Sequence, residues 1–224
     1  MPLRALIFDV DGTLAETEEV HRAAFNATFQ DFSLPWHWDI ALYGQLLKIT
    51  GGKERLRHYA QGIGAHLDEA LIAQLHARKN TLYGALIARG GAPLRSGVMD
   101  LISRAQQQGL RLAIATTTSR VNVDVLLRAN LGADADRCFD VIVAGDEVAR
   151  KKPAPDAYLK ALADLGLPAA ACMAFEDSAN GLAAGLAAGL RVVVTPGIYT
   201  QHEDFSKAAL VLPDLSQFSL SMDI

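Results

Sequence analysis

Short β-type runs, apolar but for Arg111, punctuate the chain at Ala5 to Phe8, Leu110 to Ala115, Val141 to Ala144, Cys172 to Phe175, Val192 to Val194 and Leu210 to Leu212. Continuous apolar runs of this length predict fully buried strands. Helical periods separate most of them: Val98, Leu101, Ile102 and Ala105, closed by Gly109, and Tyr158, Leu159, Leu162 and Ala163, closed by Gly166. Ser119 is expected to cap a further helix through Val125, Leu126 and Ala129 that stops at Gly132. Alternation of strand and helix predicts an α/β fold with a doubly wound, Rossmann-like parallel sheet.

From about Glu16 to Arg89 the alternation lapses, leaving helical periods without a strand. Val20, Ala24, Phe25 and Phe29 open this segment, and Leu71, Leu75, Leu82 and Leu86 form its clearest stripe. Breaks fall at Ser33-Leu34-Pro35 and Thr50-Gly51-Gly52, and Gly90-Gly91-Ala92-Pro93 returns the chain to the core. A stretch this long is not a simple connection, so it predicts a helical cap subdomain over 16–89 inserted into a core of 1–15 and 90–224. Gly181, Gly185 and Gly189, spaced by four, predict a helix packed closely on the sheet.

Composition narrows the class. In 224 residues, 50% hydrophobic and 21% charged side chains exclude disordered and low-complexity chains. Twenty-one Lys and Arg against 25 Asp and Glu give a net charge of -4, which argues against a nucleic-acid partner but leaves room for a small anion held by a few local cations. Cys138 and Cys172 lack metal-ligand spacing and read as buried thiols of a reducing compartment. No secretory or membrane-spanning apolar run is present, so a cytoplasmic protein, with no membrane partner and monomeric, is expected.

In an open parallel sheet, ligands bind beyond the carboxyl ends of the strands. There the sequence carries Asp9-Val10-Asp11-Gly12-Thr13, then Thr116-Thr117-Thr118-Ser119, then Lys152, then Glu176-Asp177. Two like charges at 4 Å repel by about 4 kcal/mol at an effective dielectric near 20, so converging Asp9, Asp11, Glu176 and Asp177 require a cation. Oxygen donors without His or Cys favour Mg²⁺, with phosphate completing the shell. Lys152 and the Thr116 hydroxyl suit phosphoryl oxygens, and Thr117, Thr118 and Ser119 fit a helix N-terminus that takes an anion. Asp-Gly after a strand is also an ordinary turn signal. An EF-hand is excluded by the offset of Gly12.

These motifs, in this order and with a helical insert after the first, resemble the four signatures of the haloacid dehalogenase superfamily. Lys152-Pro153-Ala154-Pro155-Asp156, Glu176-Asp177-Ser178 and His21 resemble the subgroup of β-phosphoglucomutase and the CbbY-type sugar-bisphosphate phosphatases. The resemblance implies that Asp9 is the nucleophile and that Asp11 protonates the leaving sugar oxygen and then activates water. It implies Mg²⁺ on Asp9, the Asp11 backbone carbonyl and Asp177, with Glu176 as a direct or outer ligand, and Lys152 and Thr116 on the transferring phosphoryl group. The implied substrate is a phosphorylated sugar, xylulose 1,5-bisphosphate, an inhibitory by-product of the carboxylase of the Calvin cycle, which would be converted to xylulose 5-phosphate. A phosphomutase is the alternative. Around the reacting centre, Gly12, Thr13 and His21 are expected to contact substrate. The Gly51-Gly52 turn, flanked by Lys48, Thr50, Lys53 and Arg55, is expected to take a second phosphate, with Glu18, Tyr43 and Arg120 as further contacts.

Overall fold

A computed structural model describes residues 2–221. Strands β1 (Ala5–Phe8), β2 (Arg111–Ala115), β3 (Val141–Val143), β4 (Cys172–Glu176), β5 (Arg191–Val194) and β6 (Leu210–Val211) form one parallel sheet in the order β3-β2-β1-β4-β5-β6. Each lies on one of the apolar runs, within a residue or so at either end. Apart from Arg111, Glu176 and Arg191 at their ends, the strands are apolar because both faces are covered. Leu6, Phe8, Leu112, Ile114, Met173, Phe175 and Val193 meet one helical layer, while Ala5, Ile7, Ala113, Ala115, Cys172, Ala174, Val192 and Val194 meet the other.

The first layer contains α5 (Val98–Gln107), which buries the expected Val98, Leu101, Ile102 and Ala105, and α6 (Arg120–Leu131), which buries the expected Leu126 together with Val123 and Leu127 but leaves Val125 half-buried and Ala129 exposed. The short α7 (Ala135–Cys138) precedes β3. The second layer contains α8 (Asp156–Leu165) and α9 (Ala179–Ala187), set against strand residues that are mostly small. A side chain at Gly185 would lie 2.7 Å from Val192, and one at Gly181 would overlap the Glu176 carboxylate, so two of the three spaced glycines do permit close packing. Gly189 instead takes a left-handed turn, with φ 79°, after the helix. Gly132 ends α6 and Ser119 occupies its N-cap position as expected, but the Ser119 side chain makes no capping bond: the Arg120 amide donates to Asp146, and the Ser119 hydroxyl accepts from Asn80.

Between β1 and β2 lie α1 (Glu18–Asp31), α2 (Ile40–Leu46), α3 (Gly52–Gly62) and α4 (Glu69–Ala88), with a core of their own. Trp38 is fully buried there, with ring centroids 4.7 Å from Phe25, 4.9 Å from Phe29 and 5.3 Å from Tyr59. Asn26 satisfies the Trp38 backbone, accepting from its amide and donating to its carbonyl, both at 2.8 Å. The α4 stripe departs from the one expected. Its buried residues are Ile72, Leu75, Lys79, Tyr83 and Ile87, while Leu71, Leu82 and Leu86 are half-buried. A lysine and a tyrosine on the inner face concealed that stripe in the sequence, and both serve the site below. Among the described residues, no helix is long and apolar enough to cross a membrane.

Candidate active site

The carboxyl ends of β1 and β4 are adjacent, and the first expected motif leaves from one and the last from the other. The Asp9 amide still pairs with the Phe175 carbonyl at 3.0 Å, and then the chain turns, with the Gly12 amide donating to Ala15 at 2.8 Å. Gly12 takes φ 83°, and a Cβ there would lie 2.6 Å from the carboxyl carbon of Asp177, so only glycine permits this approach.

Asp9, Glu176 and Asp177 are buried, and each offers an oxygen within 4.8 Å of the others. Lys152, equally buried, donates 2.6 Å bonds to Asp9 and to Glu176. Three carboxylates against one lysine leave two negative charges uncompensated, which suits a divalent cation, and the all-oxygen donor set fits Mg²⁺. Without a cation, burial pushes Asp9 up to about 8, with Lys152 opposing and Glu176 and Asp11 adding to the rise. Burial, then Asp9 and Glu176, likewise hold Asp177 well above the ordinary carboxyl value. Oε1 of Glu176 takes a second donor, the Tyr158 hydroxyl at 2.5 Å, and so acts as the counter-charge of Lys152.

Asp11 lines the same cavity as the other three carboxylates. Its carboxylate is not in the close group of three; it accepts from the Thr17 hydroxyl at 2.5 Å and lies 3.0 Å from Nε2 of His21. The four expected carboxylates thus share one cavity, but only three offer oxygens to one cation site, because Thr17 and His21 hold the Asp11 carboxylate. His21 stacks on Tyr83 with centroids 4.2 Å apart, and Nζ of Lys79 lies 2.7 Å from its Nδ1. With Lys79 donating to Nδ1, the ring proton sits on Nε2 and points to Asp11. Burial, then Lys79, lowers the His21 pKa, and burial brings Lys79 down to about 7. Burial pushes Asp11 up, but His21, Thr17 and Lys79 outweigh it and hold its carboxyl below the usual range. Two carboxylates two residues apart thus occupy opposite electrostatic settings. Lys79 and Thr17 escaped sequence reasoning because a lone lysine inside a helical period, or a threonine before it, has no distinguishing signal.

Above these groups lies a cavity of about 590 Å³ between the strand ends and the helical insert. Of the expected contacts, Asp9, Asp11, Gly12, Glu18, His21, Lys152, Glu176 and Asp177 reach its walls, as do Thr117, Thr118 and Ser119 from the start of α6. The insert contributes Thr50, Gly51, Gly52, Lys53 and Arg55. Its His76, beside Gly52, is pushed down to about 3 by burial and then by Lys79, Lys53 and Lys151, so lysines gather at this end of the cavity. Among the contacts that tie the insert to the strand ends, the Thr50 hydroxyl donates to the Lys152 carbonyl at 2.5 Å, and Glu54 pairs with Lys151 at 2.9 Å.

Five expected contacts are not on the walls. The Thr13 side chain is fully buried, and its hydroxyl has no hydrogen-bond partner among the described residues. Thr116 is buried, with Oγ1 accepting from the Thr118 amide at 3.2 Å. Tyr43 is buried, donating to Glu18 at 2.8 Å and accepting from Arg55 at 3.2 Å. Lys48 offers its carbonyl to Asn180. Arg120 is drawn along its own helix to Asp124 at 2.9 Å and borders a separate hollow with Asp124 and Asp140. Arg55 reaches the wall, but it is buried and its Nε donates to the Leu46 carbonyl at 3.2 Å.

Comparison with known proteins places these features in context. A family model described as haloacid dehalogenase-like hydrolase matches residues 3–189. The chain is 58% identical over 216 residues to the protein CbbY of Rhodobacter capsulatus, covering 96% of this chain and 95% of that one. A crystal structure of a CbbY mutant from Rhodobacter sphaeroides in complex with xylulose 1,5-bisphosphate matches with a TM-score of 0.91 and 47% identity, covering 96% of each chain. A β-phosphoglucomutase from Clostridium difficile, at 20% identity, shares the fold, with a TM-score of 0.81 over 97% of this chain and 93% of its own.

Proposed function

The chain belongs to the haloacid dehalogenase-like hydrolases, and from that membership we propose that it is a Mg²⁺-dependent phosphatase that removes one phosphate from a ketopentose bisphosphate, xylulose 1,5-bisphosphate, through an aspartyl-phosphate on Asp9. The observation that carries this reading is the divergence of Asp9 and Asp11, one beside Lys152 among buried carboxylates and the other hydrogen-bonded to Thr17 and His21. In the empty site the two shifts run opposite to these roles, Asp9 raised and Asp11 lowered, so the roles require a cation to return Asp9 to its carboxylate form and the substrate phosphate to bring Asp11 a proton. The CbbY structure with xylulose 1,5-bisphosphate bound supports the choice of substrate.

In the first step an Asp9 carboxylate oxygen bonds to phosphorus while the bond from phosphorus to the sugar oxygen breaks, and that oxygen takes its proton from Asp11, which is ionised in the empty site and carries a proton once the negatively charged phosphate lies beside it. In the second, water bonds to phosphorus, Asp11 takes the water proton, and the bond to Asp9 breaks to release phosphate. Lys152 holds the Asp9 oxygens and meets the charge of the transferring group, and the start of α6 faces the same anion. Mg²⁺ would be held by Asp9, Asp177 and the Asp11 backbone carbonyl, and it supplies positive charge to the phosphoryl oxygens. Glu176 acts beyond the first ligands, through Lys152. Residues 16–89 act as the cap over a core of 1–15 and 90–224, and the end of the cavity where the lysines gather takes the second phosphate.

Because Arg55 is committed to Tyr43 and the Leu46 carbonyl, the exposed Lys53 is the cap cation available to that phosphate. Lys53→Ala is expected to lower kcat/KM for xylulose 1,5-bisphosphate by about tenfold or more while changing that for p-nitrophenyl phosphate less than about twofold, since remote binding energy acts only where a remote group exists. Equal losses on both substrates would reject the assignment of the second phosphate to this end.

A further inference from the structure

The turn after β5 touches the cation side of the site and the helical insert at once. On the cation side, the Thr200 hydroxyl donates to the Asp177 carbonyl at 2.6 Å and accepts from the Gly197 amide at 2.8 Å. A Cβ on Gly197 would lie 2.9 Å from the Asp177 carboxylate, so the backbone of this turn backs that side chain directly. Two residues beyond Asp177, the Ala179 amide donates to Glu203 at 2.6 Å, so the turn also fixes the start of α9. On the other side, the Tyr199 ring meets Tyr43 edge to face at 5.8 Å and lies against Gly44, and its hydroxyl donates to Glu19 of α1. Tyr43 in turn donates to Glu18, which lines the cavity.

We propose that Tyr199 is a positioning residue that couples closure of the cap on a sugar phosphate to the placement of Asp177. The inference rests on the phosphatase reading given above and adds to it a residue of the cavity wall that acts through Asp177 and the cap. Thr200 and Gly197 hold Asp177 from within one turn, and the side chain between them is seated on α1 and α2. Movement of α1 and α2 away from the strand ends withdraws the Tyr199 seat, and with it the backing of the Asp177 carboxylate. Coupling between two bound groups is reciprocal, so a ligand that seats the cap tightens the cation, and the cation tightens that ligand.

The test is calorimetric titration of Mg²⁺ into the full chain, repeated with inorganic phosphate and with inorganic phosphate plus xylulose 5-phosphate. These two products occupy both ends of the cavity without turnover. In the unmodified protein, xylulose 5-phosphate is expected to tighten Mg²⁺ about tenfold beyond phosphate alone. Tyr199→Ala should remove that increment while changing the Kd measured with phosphate alone less than about twofold. Tyr199→Phe, which keeps the ring against Tyr43 and loses only the contact to Glu19, should retain part of it. Equal weakening in every arm, or an increment intact in Tyr199→Ala, overturns the proposal. Failure of the unmodified protein to release phosphate from any bisphosphate, assayed alongside, overturns the functional reading and this proposal with it, so the two failures are distinguishable.

Discussion

Asp9→Asn is expected to abolish phosphate release, lowering kcat/KM for xylulose 1,5-bisphosphate by about 10⁴-fold or more, the scale that follows removal of a covalent nucleophile. Its carboxylate lies in the three-carboxylate group, 2.6 Å from Lys152, and an amide of the same shape keeps the packing while losing the attacking oxygen. Asn also removes one negative charge from a buried cluster, so folding should survive, and the bisphosphate should still bind when titrated calorimetrically. Phosphate release within a hundredfold of the unmodified rate would mean that water attacks without a covalent step, and the assignment of Asp9 would fall.

Lys152→Met should be nearly as damaging for a different reason. Lys152 is the shared partner of Asp9 and Glu176, and all three are buried. Removing one member of a buried ion pair leaves uncompensated charge and costs about 3–5 kcal/mol of stability, against about 1 kcal/mol or less for an exposed pair. Loss of a donor aimed at the charge of the transferring group lowers kcat by a further factor of about 10² to 10³. Thermal unfolding should show a lower Tm that Mg²⁺ partly restores, because the divalent ion offsets the carboxylates left behind. Lys152→Arg should not rescue the rate, since a planar fork cannot fill the place of a point charge between two carboxylates. Unchanged Tm and kcat in Lys152→Met would contradict the geometry described here.

The strands were legible because a parallel sheet covered on both faces makes its strands continuously apolar, and Ala5 to Phe8 and Cys172 to Phe175 need no partner to be recognised. The residues at their ends were legible for a related reason, since topology brings strand ends together across any length of chain. What stayed hidden depends on side-chain direction. The Asp9 and Asp11 spacing suggested a shared face, but the turn at Gly12 and the bonds from Thr17 and His21 set the second carboxylate on the wall of the same cavity outside the group of three. Lys79 and Tyr83 occupy the inner face of α4 where an apolar stripe was expected, because burial there is paid for by contact with His21. Arg120 looked like an anion contact at a helix start until Asp124, one turn along, claimed it. The turn carrying Tyr199 and Thr200 has no period and no motif, and only its contacts show that it backs Asp177.

The central claim is that the phosphoryl group on Asp9 passes to water and not back to sugar. The direct measurement is turnover of xylulose 1,5-bisphosphate with Mg²⁺ in oxygen-18 water, following inorganic phosphate, sugar phosphate and the label together. The account predicts one phosphate released per bisphosphate consumed over many turnovers, carrying oxygen from water, with xylulose 5-phosphate as the other product and no release once Mg²⁺ is chelated. If β-glucose 1-phosphate with a catalytic amount of its bisphosphate instead yields glucose 6-phosphate faster than any ketopentose bisphosphate yields phosphate, the enzyme is a phosphomutase and the account is wrong.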